Sequence, residues 1–260
     1  MKDIKLFGSI YRNVPSIKVT DTNDNELTYV LEDETRYSAD EFASGQVGGV
    51  ITLDNYDYDI RERSFANTQI AGVNITFTAS SKKINGYAFS SCPNLADINF
   101  NYCTFAGAYN FSSCASLEHL HLEGFTSGNY SFASCSNLET VVITDCHNVN
   151  WTTGTFRYCS KLAKADFTNV GQFGQQCFQG SKLNDLVLRR TDAITTLNNI
   201  NAFAGMGGRS VTVYVPNSLL SDYQSDSKWS VVTDATLTFT AIEGSQYEHY
   251  YVDGTEIQND

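Results

Sequence analysis

FSSCPNLADINF, residues 89–100, sets a phenylalanine, a cysteine three places on and a leucine three after that. Ile98 and Phe100 then follow at plus three and plus five from Leu95. The arrangement returns as FSSCASLEHLHL from Phe111, FASCSNLETVVI from Phe132 and FRYCSKLAKADF from Phe156. Aligned on the phenylalanine, the anchors are Phe65, Phe89, Phe111, Phe132, Phe156, Phe178 and Phe203, spaced 24, 22, 21, 24, 22 and 25 residues apart. Six of them lead into an apolar triplet: Ile70, Val73, Ile75; Leu95, Ile98, Phe100; Leu117, Leu120, Leu122; Leu138, Val141, Ile143; Leu162, Ala165, Phe167; and Leu183, Leu186, Leu188. The last two members of each triplet alternate with other residues, the period of a strand with one buried face. A weaker copy precedes them, from Phe42 through Val47 and Val50, where FASGQV resembles FANTQI at Phe65.

A period of 21 to 25 residues lies in the range of leucine-rich repeats. One such unit cannot bury its own apolar side, but stacking places each strand about 4.8 Å from the next and makes the core continuous. The expected fold is a right-handed leucine-rich-repeat solenoid with a parallel β ladder and short helix or turn content. Residues 1–41 form an N-terminal β segment, 42–215 the solenoid, and 216–260 a C-terminal cap. The Phe, Cys and Leu spacing resembles the BspA-like leucine-rich repeats of bacterial surface proteins, some parasitic protists and phage-encoded proteins. The resemblance spans roughly residues 60–232 and includes the ending VYVPNSLLSDYQSDSKW, residues 213–229. The units at Phe65 and Phe178 depart from it by lacking the cysteine and one residue, and Ala165 replaces a larger strand residue. The resemblance implies recognition and no catalysis.

The 260 residues, with 42% hydrophobic side chains and 3 prolines, suit an ordered chain. A formal charge of -12, from 29 acidic and 17 basic residues, argues against nucleic acid and anionic membranes, which need clustered Lys and Arg. The first residues, MKDIKLFGSIYRNVPSIKV, lack the apolar run of a secretory leader, and no stretch is long enough to span a membrane. Of the seven cysteines, Cys92, Cys114, Cys135 and Cys159 stand three after a repeat phenylalanine. Cys103 and Cys146 fall eight after a repeat leucine, where other units carry Phe125 and Val170, and Cys177 takes a small-residue slot. All are expected to be buried free thiols that act as small apolar filler, with no disulfide, metal or cofactor role.

The N-terminal stretch SIKVTDTNDNELTYVLED reads as a hairpin, with Ile17 and Val19 facing Leu27, Tyr29 and Leu31 around a turn at Asn23, Asp24 and Asn25. It would cap the first repeat. LFGSIYRNVPSIKV and YSADEFASGQ also resemble short modules that precede repeats in phage and prophage tail-associated proteins. At the other end Asn217 is expected to cap a short helix through Tyr223, and TLTFTAIE and HYYVDGTEI to form terminal strands.

No serine triad, phosphate loop or paired CxxC stands in a supporting context. In LEHLHLEG, His119, His121 and Glu123 leave one face of a strand, where two imidazoles and a carboxylate could share a zinc ion. This is the weak metal candidate. The outward rows of the ladder supply hydrogen-bonding side chains suited to a glycan or a protein loop: Asn99, Asn101, His119, His121, Glu123, Asp166 and Arg189. A second column, Tyr87, Tyr109 and Tyr130 with Trp151 nearby, is either an aromatic platform or mutual packing at a corner. The leading function is non-catalytic adhesion or receptor binding on a phage or prophage tail. Such a protein would reside in the virion, with a host-cell surface protein or glycan and other tail proteins as partners. The alternatives are an extracellular or cell-surface bacterial adhesin and, second, a zinc-dependent enzyme.

Overall fold

The alternating triplets form the strands they predict. A computed structural model describes residues 16–20, 26–30, 48–100, 103–126, 128–145, 149–150, 153–252 and 255–257. The N-terminal hairpin is β1 (Ser16–Thr20) and β2 (Glu26–Val30), with Ile17 opposite Tyr29 and Val19 opposite Leu27. The ladder follows with β3 (Gly48–Tyr56), β4 (Gln69–Phe77), β5 (Asp97–Phe100), β6 (His119–Glu123) and β7 (Thr140–Thr144). It continues as β8 (Lys164–Phe167), β9 (Asp185–Leu188), β10 (Arg209–Val215) and β11 (Ala235–Ala241). Each hydrogen-bonded ladder pair from β3 onward is parallel and advances by one repeat, as Val141 beside Ala165 and Ala165 beside Leu186 show. The β1 strand pairs antiparallel with β3, so the hairpin occupies the ladder's first edge.

The interior is a column of repeat phenylalanines. Ring centroids lie 5.1 Å apart for Phe65–Phe89, 4.9 Å for Phe89–Phe111, 5.5 Å for Phe111–Phe132, 5.8 Å for Phe132–Phe156, 6.1 Å for Phe156–Phe178 and 5.5 Å for Phe178–Phe203. Burying one such ring contributes about 2–3 kcal/mol, and the stack repeats that gain once per turn. Each cysteine three places on does more than fill space. Its thiol donates to the carbonyl of the preceding repeat's phenylalanine: Cys92 to Phe65 at 3.1 Å, Cys114 to Phe89 at 3.3 Å, Cys135 to Phe111 at 3.2 Å and Cys159 to Phe132 at 3.1 Å. A small residue with a weak donor is what this buried slot accepts. The six described cysteines are free and buried; Cys146 lies outside the described residues. Burial pushes the Cys92, Cys103, Cys159 and Cys177 thiols up, so they stay protonated.

In each of the six repeats from Phe65 to Phe178, two residues adopt a left-handed backbone, two before and two after the phenylalanine. Tyr109 and Ser113, both at φ 61°, flank Phe111. That conformation costs on the order of 1 kcal/mol for an L-residue, and a bond to the next turn compensates each. Tyr109 N–H donates to Asn129 O and Ser113 N–H to Ala133 O, both at 2.8 Å.

Three sequence expectations change. The anchor Phe42 and Val47 lie outside the described residues, as do Leu31 and the turn at Asn23, Asp24 and Asn25. Val50, expected inward, is 41% exposed, and Ile51 and Leu53 face the core instead. A register shift between Gly49 and Val50 flips the face, leaving Val50 above Gly72, whose missing Cβ would sit 3.2 Å from it. At the far end, β11 pairs in parallel with β10, so TLTFTAIE extends the ladder beyond residue 215. The helix there is α1 (Leu220–Ser225), preceded by a 3-10 turn, and no side chain caps it. Asn217 instead donates its backbone N–H to Glu243 Oε2 at 2.9 Å. Beneath this end Tyr223 and Trp229 are fully buried and finish the core.

The ladder is divided once. Among the described residues no strand pairing joins β5 to β6, although Phe89 and Phe111 remain stacked behind them. On the return side the short strands Lys83–Ile84, Cys103–Phe105 and Phe125–Thr126 also run on unbroken. The turns are hinged at the phenylalanine column and parted at the ladder, which leaves Ile98 half-buried where its equivalents are fully covered.

Candidate functional site

The parting opens a groove. Its volume is about 640 Å³, and Asp97, Ile98, Asn99, His119, Leu120, His121, Thr140, Val142 and Tyr250 line it. Alternation along β5, β6 and β7 turns Asp97, Asn99, His119, His121 and Thr140 outward, so a row of short hydrogen-bonding groups forms the floor. His119 Nδ1 lies 2.8 Å from Thr140 Oγ1, which fixes that imidazole across two strands. The inward residues Ile98 and Leu120 reach the groove only because the strands are apart.

Tyr250 comes from the C-terminal hairpin, β12 (Tyr250–Val252) and β13 (Thr255–Ile257), which folds back onto the outer ladder face. Tyr247 OH donates to Asp185 Oδ2 at 2.8 Å, and Arg189 Nη2 donates to Tyr247 O at 3.0 Å. The Lys164 ammonium sits 4.7 Å from the centroid of the Tyr247 ring and 3.2 Å from that of Tyr250. Partial burial pushes that ammonium down to about 8, against the pull of Asp166 and Asp185. Burial, followed by the bond to Asp185, pushes the Tyr247 phenol up. His249 faces Glu256 at 2.8 Å across the hairpin, and this hydrogen bond raises the imidazole's pKa.

Below this cover Arg189 and Asp166 form a two-pronged pair, Nε to Oδ1 at 2.8 Å and Nη2 to Oδ2 at 3.0 Å, with both side chains at 0% exposure. Burial pushes the Asp166 carboxyl up and the guanidinium holds it back. The sequence reading put Asp166 and Arg189 on the outward row; their strands do point them outward, but Ile242, Tyr247 and Tyr250 take that face from solvent. The two are thus removed from the exposed surface. Asn99, His119 and His121 meet in the groove, joined by Asp97, Thr140 and Tyr250, which the sequence reading did not select. Asp97 and Thr140 were visible as outward positions, and Tyr250 stands among the three close tyrosines of YEHYYVDGTE, a contact patch by composition; which ladder position it meets depends on how the tail folds back. Glu123 is exposed at the end of β6 and does not line the groove. Asn101 and Trp151 lie outside the described residues.

As a metal site, His119, His121 and Glu123 do not fit. Among the described residues no group of three or more His, Cys, Asp or Glu side chains is placed to hold an ion. No described helix is long and apolar enough to cross a membrane.

The tyrosine column stands at a different corner. Tyr87 and Tyr109 stack at 5.0 Å, Tyr109 and Tyr130 at 4.9 Å. The Arg63 guanidinium covers the outer face of the column 4.7 Å from the Tyr87 centroid. At the other end the Tyr130 ring lies so close over Gly154 that any Cβ there would collide with it, which accounts for the glycine that ends the column. The ring faces are occupied, leaving edges and hydroxyls to solvent. This is the packed-corner alternative of the sequence reading.

The phenylalanine column, the one-repeat register and the thiol-to-carbonyl bonds define a parallel β solenoid of leucine-rich-repeat type. The chain belongs to the BspA type leucine rich repeat family, whose repeat region matches residues 49–150 and 82–207 in six copies. A leucine-rich repeat protein from Bacteroides ovatus, solved as a crystal structure, aligns with 90% of this chain and 79% of its own at 15% identity, with a TM-score of 0.37. Comparison with curated proteins found no match.

Proposed function

We propose that this is a non-catalytic recognition or adhesion protein whose ligand seats in the groove between β5, β6 and β7. The carrying observation is that the tail lies over the outer face at β8 and β9 and brings Tyr250 to one side of a groove in which Asp97, Asn99, His119, His121 and Thr140 converge. A floor of short polar groups beside one aromatic ring suits a surface glycan or a loop of a host surface protein, since placed polar groups in a concave site give orientation and specificity. No observation favours the zinc-enzyme alternative.

The finer setting is a phage or prophage tail, where the chain would serve as a receptor-binding or structural component alongside other tail proteins. Its support is the resemblance of residues 6–19 and 37–46 to modules preceding repeats in such proteins. A bacterial cell-surface adhesin uses the same groove and differs only in where the chain is displayed.

Labelled protein is titrated onto a panel of bacterial and animal cells, with extracted glycans and surface proteins as competitors. The double variant Asn99→Ala, His121→Ala is expected to weaken binding at least tenfold, whereas Tyr109→Ala leaves it unchanged. Equal binding by all three proteins would remove the groove from the proposal. Detection of the chain in purified virions supports the tail setting; recovery with the cell envelope and absence from virions overturns it.

A further inference from the structure

The last ladder strand ends the solenoid with an open edge. Among the described residues β11 has one strand neighbour, β10. Ile242 N–H donates to Val215 O at 2.9 Å, so the alternate residues on that side address β10. Strand geometry then turns the N–H and C=O of Ala235, Leu237, Phe239 and Ala241 away from it, toward solvent. The strand carries none of the usual blocks to pairing, since ATLTFTA contains no charge and no proline. Leu237 and Phe239, on the inward face, are only half-buried, where the inward residues of β10 are fully covered. They border a shallow groove of about 360 Å³ with Trp229 and Val232.

The strand also has the same pattern of residue types in both directions about Thr238: large apolar leucine against large apolar phenylalanine, threonine against threonine, alanine against alanine. We propose that β11 is a self-association edge, pairing antiparallel with β11 of a second copy about a two-fold axis through Thr238. Leu237 of one copy then faces Phe239 of the other, and Ala235 faces Ala241, each pair exchanging backbone hydrogen bonds. The apolar inward faces become continuous, and Thr238 meets Thr238 as a close pair without hydrogen bonds, at about 4.5 Å between Cα atoms. Charge permits it. In this register Asp234 lies opposite Ile242 and Glu243 opposite Thr233, so no like charges meet, which matters for a chain of net charge -12.

Such a contact is isologous and closed. Because the axis is perpendicular to the sheet, both outer faces lie on the same side, and two grooves are offered to one surface with the gain that bivalency brings. This last consequence rests on the groove being the recognition site; the pairing itself does not.

Sedimentation equilibrium at ~0.15 M salt and up to about 200 µM, a range suited to a small interface, is expected to show a mass rising toward twice the 28.8 kDa chain. Thr238→Lys and Thr238→Glu, each at an exposed outer position, place like charges opposite one another. Each is expected to weaken the dimer about tenfold at an unchanged melting midpoint. An equimolar mixture of the two restores it as a mixed pair. A single-copy mass at every concentration overturns the proposal, as does a dimer indifferent to both substitutions. If either variant misfolds, Thr238→Cys decides: a disulfide-linked dimer under mild oxidation supports the edge, and a monomer refutes it. Failure of this test leaves the cell-binding result untouched, and the reverse also holds.

Discussion

The two halves of the outer ladder face share a repeat and differ in fate. Around β8 and β9 the face is covered by Ile242, Tyr247 and Tyr250 and holds a buried ion pair; around β5, β6 and β7 it is open, and β5 parts from β6. The same alternation of inward and outward side chains produced both. The difference shows that in a solenoid the outward rows have no fixed role until something lies on them. Asp166, under the tail, ties strands together, whereas Asn99, three repeats earlier in the same outward column, meets water.

Arg189→Met is expected to have the largest effect, because it leaves the Asp166 carboxylate buried without its partner. A loss of about 3–5 kcal/mol is expected in denaturant unfolding, and pairing it with Asp166→Leu recovers most of that. A small loss would mean that the cover is wetter than its zero exposure implies. Next come paired truncations. Leu186→Ala, deep in the covered half, falls toward the upper end of the ~2–5 kcal/mol range for such changes. Ile98→Ala at the parted joint falls at or below its lower end; equal losses would erase the contrast between the halves.

A third effect is electrostatic. The Lys164 ammonium is lowered to about 8 from its ordinary 10.5, so between those values the unfolded chain holds a proton that the folded chain has released. Stability should therefore rise with pH across that window, since the unfolded state binds more protons there. The slope amounts to about 1–2 kcal/mol in all, after discounting for the side chain's partial exposure and for the tyrosine face, which favours the ammonium. In Lys164→Met, unfolding followed from pH 7 to 10 loses that slope. Tyr250→Ala removes the ring contact at a cost of about 1 kcal/mol and should weaken cell binding several-fold by deleting the groove's wall. The smallest effect belongs to His249. Its raised pKa should appear in an NMR titration and return toward 6.5 in Glu256→Gln. That pairing favours the fold below the ordinary value and fades as pH climbs through the raised one.

The ladder was legible because every contact it makes recurs at one spacing. The residue that donates at Cys114 is matched by those at Cys135 and Cys159, so a single aligned pattern names strand, anchor and thiol together. Failures came where the pattern is interrupted. Val50 was misplaced because a register shift exchanges faces without changing composition, and the Asn217 cap because that residue lies inside the 3-10 turn that precedes the helix. The parting of β5 from β6 left no mark on the Leu95, Ile98, Phe100 triplet at all.

What the sequence determined by itself was the solenoid, its phenylalanine interior and the burial of its repeat cysteines, since these arise between neighbouring turns about 21 to 27 residues apart and are written once per turn. What only the tertiary structure decided was which part of the exterior stays exposed. The bonds that lay the tail on the ladder join residues 58 and 62 positions apart. They occur once, so no repetition announces them, and their energy comes from complementarity between two surfaces that exist only after the coils have stacked.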